Sequence, residues 1–163
     1  MKDILLIKGQ PGKRRLSGTL PVFGAKNAAL PALASAILFK DEVVFDNVPY
    51  IHDIEQSIEI IKNLGGDTEM ESAHQWKIDA TKIKTTALDV ERSKHMRASI
   101  VFTGPLLARY GKVSFPHPGG CVLGERPVDM FMSAFEKMGA KISLNDEIYT
   151  VEVNSKKLKG AEI

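Results

Sequence analysis

The sequence repeats its own pattern, and this restricts the available folds more than any other feature. Leu64-Gly65-Gly66 and Met138-Gly139-Ala140 each close an apolar helical run with glycine, and Gly65 and Gly139 stand 74 residues apart. Around each stop the order is the same: helix, strand, loop, helix, glycine, strand, strand. The strand candidates near Trp76 and Thr150 keep the same offset. Identity between the halves is slight, so what recurs is pattern. Alternating helix and strand at a fixed interval calls for an α/β architecture assembled from copies of one unit. Repeat one is expected at about 19–80 and repeat two at about 93–153, with 156–163 reading as the start of a third.

The helices are assigned from apolar spacing. Residues 27–39 are apolar nearly all round and rich in alanine, as in a buried helix. In 53–64, Ile54, Ile58, Ile61 and Leu64 fall on one face, and Gly65-Gly66 is suited to end it. Residues 93–109 read as a largely buried helix, with a break expected at Gly104-Pro105. In 127–138, Val128, Phe131, Met132, Phe135 and Met138 share a face, with Pro127 suited to the first helical position. Short strands are expected at 4–7, 19–22, 43–45, 76–79, 113–115, 141–144 and 149–153.

Composition narrows the function classes. A chain of 163 residues, 44% hydrophobic and 26% charged, is that of a soluble globular domain. The net charge of +2 and an aromatic content of 7% argue against a single-strand nucleic-acid binder, which relies on a basic groove with stacking rings. An anion site must therefore come from a few placed cations. One cysteine excludes an internal disulfide framework. The longest apolar stretch, 28–39, contains Pro31 and Ser35 and is too short to span a bilayer. No secretory leader is visible, so a cytoplasmic location without membrane contact is expected. His52, His74, His95 and His117 share no metal-ligand spacing with one another or with Cys121, and no metal site is expected.

Three places could carry chemistry. In Gly24-Ala25-Lys26-Asn27-Ala28-Ala29-Leu30-Pro31 a lysine stands at a helix start, where it opposes the macrodipole unless an anion offsets it. A solvated lysine explains the position about as well, and Asn27 is an acceptable N-cap without any function. In Met96-Arg97-Ala98-Ser99, Arg97 lies near the start of an apolar helix, where a snorkelling arginine is the plain alternative. The third is Pro116-His117-Pro118-Gly119-Gly120-Cys121-Val122-Leu123-Gly124-Glu125-Arg126-Pro127-Val128-Asp129. A thiol in a glycine-rich loop, with Arg126 five residues on, is in a setting that activates cysteine. Asp129 has a bland reading as an acid in a helix's first turn, and could equally accept hydrogen bonds from a ligand. Lys26, Arg97 and Arg126 are thus three cations at three helix starts with one thiol among them, a set suited to phosphate without a metal.

At these residues the sequence resembles the enolpyruvyl transferases. The resemblance rests on the Gly24–Pro31, Met96–Ile100, Pro118–Cys121 and Arg126–Asp129 motifs, supported by Asn47-Val48-Pro49, Leu64-Gly65-Gly66 and Leu158-Lys159-Gly160-Ala161 in the family's order. The cysteine loop followed by Arg-Pro-Val-Asp favours the branch acting on a UDP-sugar over the shikimate-pathway branch. The resemblance implies an inside-out α/β barrel of βαβαββ repeats, of which about two are present. It implies transfer of the enolpyruvyl group of phosphoenolpyruvate to the 3′-hydroxyl of UDP-N-acetylglucosamine, releasing phosphate, as the first committed step of peptidoglycan synthesis. No cofactor is implied.

Carried over by position, Cys121 protonates the methylene carbon of phosphoenolpyruvate, can form a covalent adduct with it, and is open to alkylation by fosfomycin. Lys26 and Arg126 hold its phosphate and carboxylate. Asn27 contacts ligand, Arg97 meets the UDP-sugar diphosphate, and Pro127, Val128, Asp129 and Met130 line the nucleotide pocket together with Arg126. The loop's glycines would let Cys121 swing over the site.

The family's chain is more than twice as long. The rest of the same enzyme is therefore the expected partner, and the 163 residues alone are expected to be inactive and prone to self-association. The alternatives are a non-catalytic UDP-sugar-binding paralogue and a shikimate-pathway transferase.

Overall fold

The computed structural model describes residues 5–9, 12, 17–119, 127–154 and 157–163. In chain order it contains α1 (Lys26–Ser35), β1 (Val43–Phe45), α2 (His52–Leu64), β2 (Asp67–Ser72), β3 (Gln75–Asp79), α3 (Val90–His95), α4 (Thr103–Tyr110), β4 (Lys112–Pro116), α5 (Asp129–Lys137), β5 (Ala140–Asn145) and β6 (Ile148–Val153). Short 3-10 segments, Ala36–Leu38 and Arg97–Phe102, extend α1 and lead into α4. The expected duplication is present. Helix, strand, helix, strand, strand occurs twice, and the sheets β1-β3-β2 and β4-β6-β5 share one antiparallel order. Gly65 and Gly139 close the second helix of each unit at φ 105° and 91°, the left-handed conformation that glycine adopts without strain.

α2 forms for the reason its spacing announces. Ile54, Ile58, Ile61 and Leu64 are each at most 1% exposed, and Ser57 and Ile60 widen the buried stripe. Each large apolar side chain taken out of water contributes roughly 1.5–3 kcal/mol. The stripe packs on α1, whose Leu30 and Leu33 are buried, and the core continues through Phe102, Leu106, Leu107, Val113, Phe115 and Val151.

Five expectations are corrected. Residues 5–7 and 19–22 are not strands, and Ile4 lies outside the described residues. Leu20 and Val22 alternate as a strand does, yet both are more than 80% exposed and have no ladder partner among the described residues. The break expected at Gly104-Pro105 falls earlier, at Met96 and the 3-10 turn that follows. Gly104 and Pro105 sit in the first turn of α4, where a missing N–H costs nothing. Pro127 lies one residue before the α5 cap Val128, so Asp129 opens that helix. Asn27 is not an N-cap; the α1 cap is Ala25, which supplies no side-chain hydrogen bond.

The second unit opens with a short parallel contact. Ala87 bridges Ser114, with Leu88 N–H donating to Ser114 O (2.8 Å) and Ser114 N–H to Thr86 O (3.1 Å). This completes a β-α-β-α-β-β order for that unit. Among the described residues, β1 has no such partner on its outer edge, and its Val44 is half exposed.

Candidate active site

The two first helices of the two units begin side by side. Lys26 is the first residue of α1, Arg97 the first of the 3-10 turn before α4, and the two segments pack on one another. Lys26, Asn27 and Arg97 line one cleft of about 360 Å3 with Leu30, Asp53 and Phe131. Met96 and His95 also line it.

The electrostatics of the cleft are set by few groups. α1 has no acid in its first turn and no side-chain cap, so its leading N–H groups and the Lys26 ammonium present positive charge together. Asp53, in the first turn of α2, forms an ion pair with Lys26. Both side chains keep solvent contact, at 51% and 35% exposure, so the pair can open for an incoming anion at small cost. Arg97 is steered by its Nη2, which donates to the Pro127 carbonyl oxygen at 3.2 Å. That bond brings the start of the α5 segment to the cleft.

The remaining expected site residues divide. Val128 is buried and acts as core, with its carbonyl accepting from Phe131 and Met132 N–H. Asp129 and Met130 are exposed on α5 and are not among the residues lining this cleft, where Phe131 is. Cys121 and Arg126 lie outside the described residues. Asp53 and His95 were not singled out from sequence. Asp53 reads there as an ordinary first-turn acid, and only the packing of α2 on α1 turns it toward Lys26.

Glycine at the entry to the cysteine segment has a structural reason beyond freedom of movement. A Cβ on Gly119 would overlap the Lys94 carbonyl oxygen, and Gly119 N–H donates to Ser93 O at 3.2 Å. Gly119→Ala is expected to push 117–119 off α3 and lower stability by about 1–3 kcal/mol, the usual cost of overpacking. Thermal unfolding checks this against Gly160→Ala, where nothing lies within 4 Å and no change is expected.

The fold is a duplicated α/β unit with Lys26 and Arg97 at neighbouring helix starts. The family model for EPSP synthase (3-phosphoshikimate 1-carboxyvinyltransferase) matches residues 11–163, and the chain belongs to that family. Within it, the chain is similar to the UDP-N-acetylglucosamine 1-carboxyvinyltransferase of a Nitratiruptor species, 43% identical over 99% of this chain and 37% of the relative. It is 44% identical to the protein of the same name from Campylobacter fetus subsp. fetus, again over 99% of this chain and 37% of the relative. This chain thus spans little more than a third of the length of these relatives. Among solved structures, the enolpyruvyl transferase NikO from Streptomyces tendae shares the fold, with a TM-score of 0.73 at 19% identity over 91% of this chain and 32% of its own.

Proposed function

We propose that this chain is part of an enzyme that moves the enolpyruvyl group of phosphoenolpyruvate onto the 3′-hydroxyl of UDP-N-acetylglucosamine and releases phosphate. The observation that carries this is the convergence of Lys26 and Arg97 on one cleft, in a chain 43–44% identical to carboxyvinyltransferases that bear that sugar nucleotide in their name. Lys26 holds the phosphoenolpyruvate phosphate with Arg126, and Asn27 contacts ligand beside it. Arg97, braced by Pro127 O, meets the diphosphate of the sugar nucleotide. Arg126, Pro127, Val128, Asp129 and Met130 form the nucleotide wall, Val128 through its backbone because its side chain is buried.

Cys121 supplies the proton to the methylene carbon as the sugar hydroxyl, giving its own proton to a base on the rest of the protein, adds at the neighbouring carbon. The C–O bond to phosphate then breaks, and the methyl group gives a proton back as the vinyl ether forms. A thiol suits that exchange because its proton is still available near neutral pH.

The same reading places the enzyme at the first committed step of peptidoglycan synthesis in the cytoplasm, with the rest of the protein supplying the other wall of the site. It divides the chain into repeats at about 19–80 and 93–153, with 156–163 beginning a third. No helix among the described residues is long and apolar enough to cross a membrane.

The test uses the full-length protein. Fosfomycin is expected to add one equivalent of mass, and Cys121→Ala to abolish the addition; labelling that persists at another residue overturns the assignment of Cys121. UDP-N-acetylglucosamine is expected to serve as acceptor, and turnover with shikimate 3-phosphate in its place would move the chain to the other branch.

A further inference from the structure

Lys26 is aimed by a device that does not include its own helix cap. Ala25, the cap residue of α1, offers no side-chain hydrogen bond, so something else must fix where the helix begins. The segment just before it is held at one point by two other parts of the fold. Gly24 N–H donates to Asn47 Oδ1 at 3.1 Å, and a Cβ on Gly24 would overlap the Asn47 carbonyl oxygen. Phe23 stacks on the His74 ring, with centroids 4.6 Å apart and an interplanar angle of 25°.

His74 stands at the tip of the β2–β3 hairpin and grips the same loop from the other side. Its backbone carbonyl accepts from Val48 N–H at 2.8 Å, and its Nδ1 lies 2.9 Å from Val48 O. A carbonyl can only accept, so Nδ1 carries the proton. Asn47 takes a positive φ of 54°, which few residues other than glycine tolerate, and this turns its amide toward Gly24. The hairpin tip, the 46–49 loop and residues 23–24 are therefore clamped together three residues or fewer before the ammonium-bearing residue.

We infer that His74, through Val48 and the stacked Phe23, is a positioning residue for Lys26. It does not line the cleft with Lys26, and it acts by fixing the direction in which α1 leaves the clamp. A misplacement of about 1 Å at a charge-stabilising group can cost up to about a hundredfold in rate. The inference rests on the proposed transfer reaction for its kinetic consequence, but the geometry can be read without it.

The experiment compares His74→Ala with His74→Asn in the full-length protein. The asparagine amide restores a donor where Nδ1 stands. In His74→Ala, kcat/KM for phosphoenolpyruvate is expected to fall about tenfold, a modest share of what misplacement can cost. KM for UDP-N-acetylglucosamine, held through Arg97 on another element, is expected to stay within about twofold. His74→Asn is expected to recover most of the loss.

A second readout needs no turnover. After reductive dimethylation with 13C, the Lys26 methyl resonance, assigned by its disappearance in Lys26→Arg, is expected to shift in His74→Ala and to return in His74→Asn. An unmoved Lys26 resonance in His74→Ala overturns the inference. Equal losses in both variants with a matching fall in Tm also overturn it, because His74 would then be only structural. If the wild-type protein transfers no enolpyruvyl group yet the resonance moves and returns, the positioning role stands and the proposed reaction falls.

Discussion

Lys26→Met in the full-length protein is expected to lower kcat/KM for phosphoenolpyruvate about a thousandfold, close to 4 kcal/mol of transition-state stabilisation. The figure is that of losing one placed group at the point where phosphate charge develops. What makes the test clean is the small structural stake of the same side chain. Lys26 is half exposed and, among the described residues, pairs with a partly exposed Asp53. Exposed pairs contribute about 0–1 kcal/mol, so Tm of the full-length protein should move by no more than about 2 °C.

Asp53→Asn separates the charge of the cleft from the chemistry. Removing the carboxylate frees the ammonium and takes away a repulsion, so inorganic phosphate is expected to bind several-fold more tightly, read by calorimetry. Unchanged kinetics in Lys26→Met would reduce the residue to the solvated lysine that its sequence position alone allows. A collapse of Tm would instead assign it to the fold.

The parts of this architecture that were legible in sequence are those whose stability is local or one-sided. α2 was visible because a single face carries Ile54, Ile58, Ile61 and Leu64 and the other face is polar, and the glycine stops gave the repeat. β2 is the opposite case. Asp67–Ser72 is polar and largely exposed, and it is a strand only because β3 pairs with it from Asp67↔Asp79 to Ser72↔Gln75. Residues 19–22 are the reverse case, since alternation with no partner among the described residues makes no ladder. In the site, Lys26, Asn27 and Arg97 were found as separate motifs, and the structure places them in one cleft. Asp53 and His95 carry no motif of their own and enter it through the packing of other elements. Cys121 and Arg126, the most specific sequence signals, fall outside the described residues and rest on the resemblance.

Arg109→Leu is expected to cost about 2–3 kcal/mol of stability, a large loss for a single charged side chain. Arg109 lies in the last turn of α4 and reaches across to three carbonyls. Its Nη1 donates to Ile37 O at 2.5 Å, to Phe39 O at 2.8 Å and to Ala80 O at 3.3 Å. Ile37 lies in the 3-10 turn that ends the α1 run, Phe39 just follows that turn, and Ala80 follows β3, so one guanidinium joins the first unit's helix and sheet to the second unit's helix.

The carbonyls at a helix end lack intrahelical donors, and a cation there also meets the negative end of the macrodipole. Leucine keeps most of the volume while leaving those oxygens to whatever water can reach them. That access is partial, which sets the loss below the sum of three charge-assisted bonds. Thermal unfolding of the full-length protein, whose relatives run to nearly three times the length of this chain, should show a Tm lower by roughly 2–4 °C. Arg109→Lys, whose ammonium also gathers its N–H donors on one nitrogen but on a shorter side chain, should recover part of it. A loss in Arg109→Lys equal to that in Arg109→Leu would show that the reach of the guanidinium to the three oxygens matters more than the charge. No loss in either variant would mean that the two units are held by their apolar contacts alone, Phe102, Leu106 and Leu107 among them.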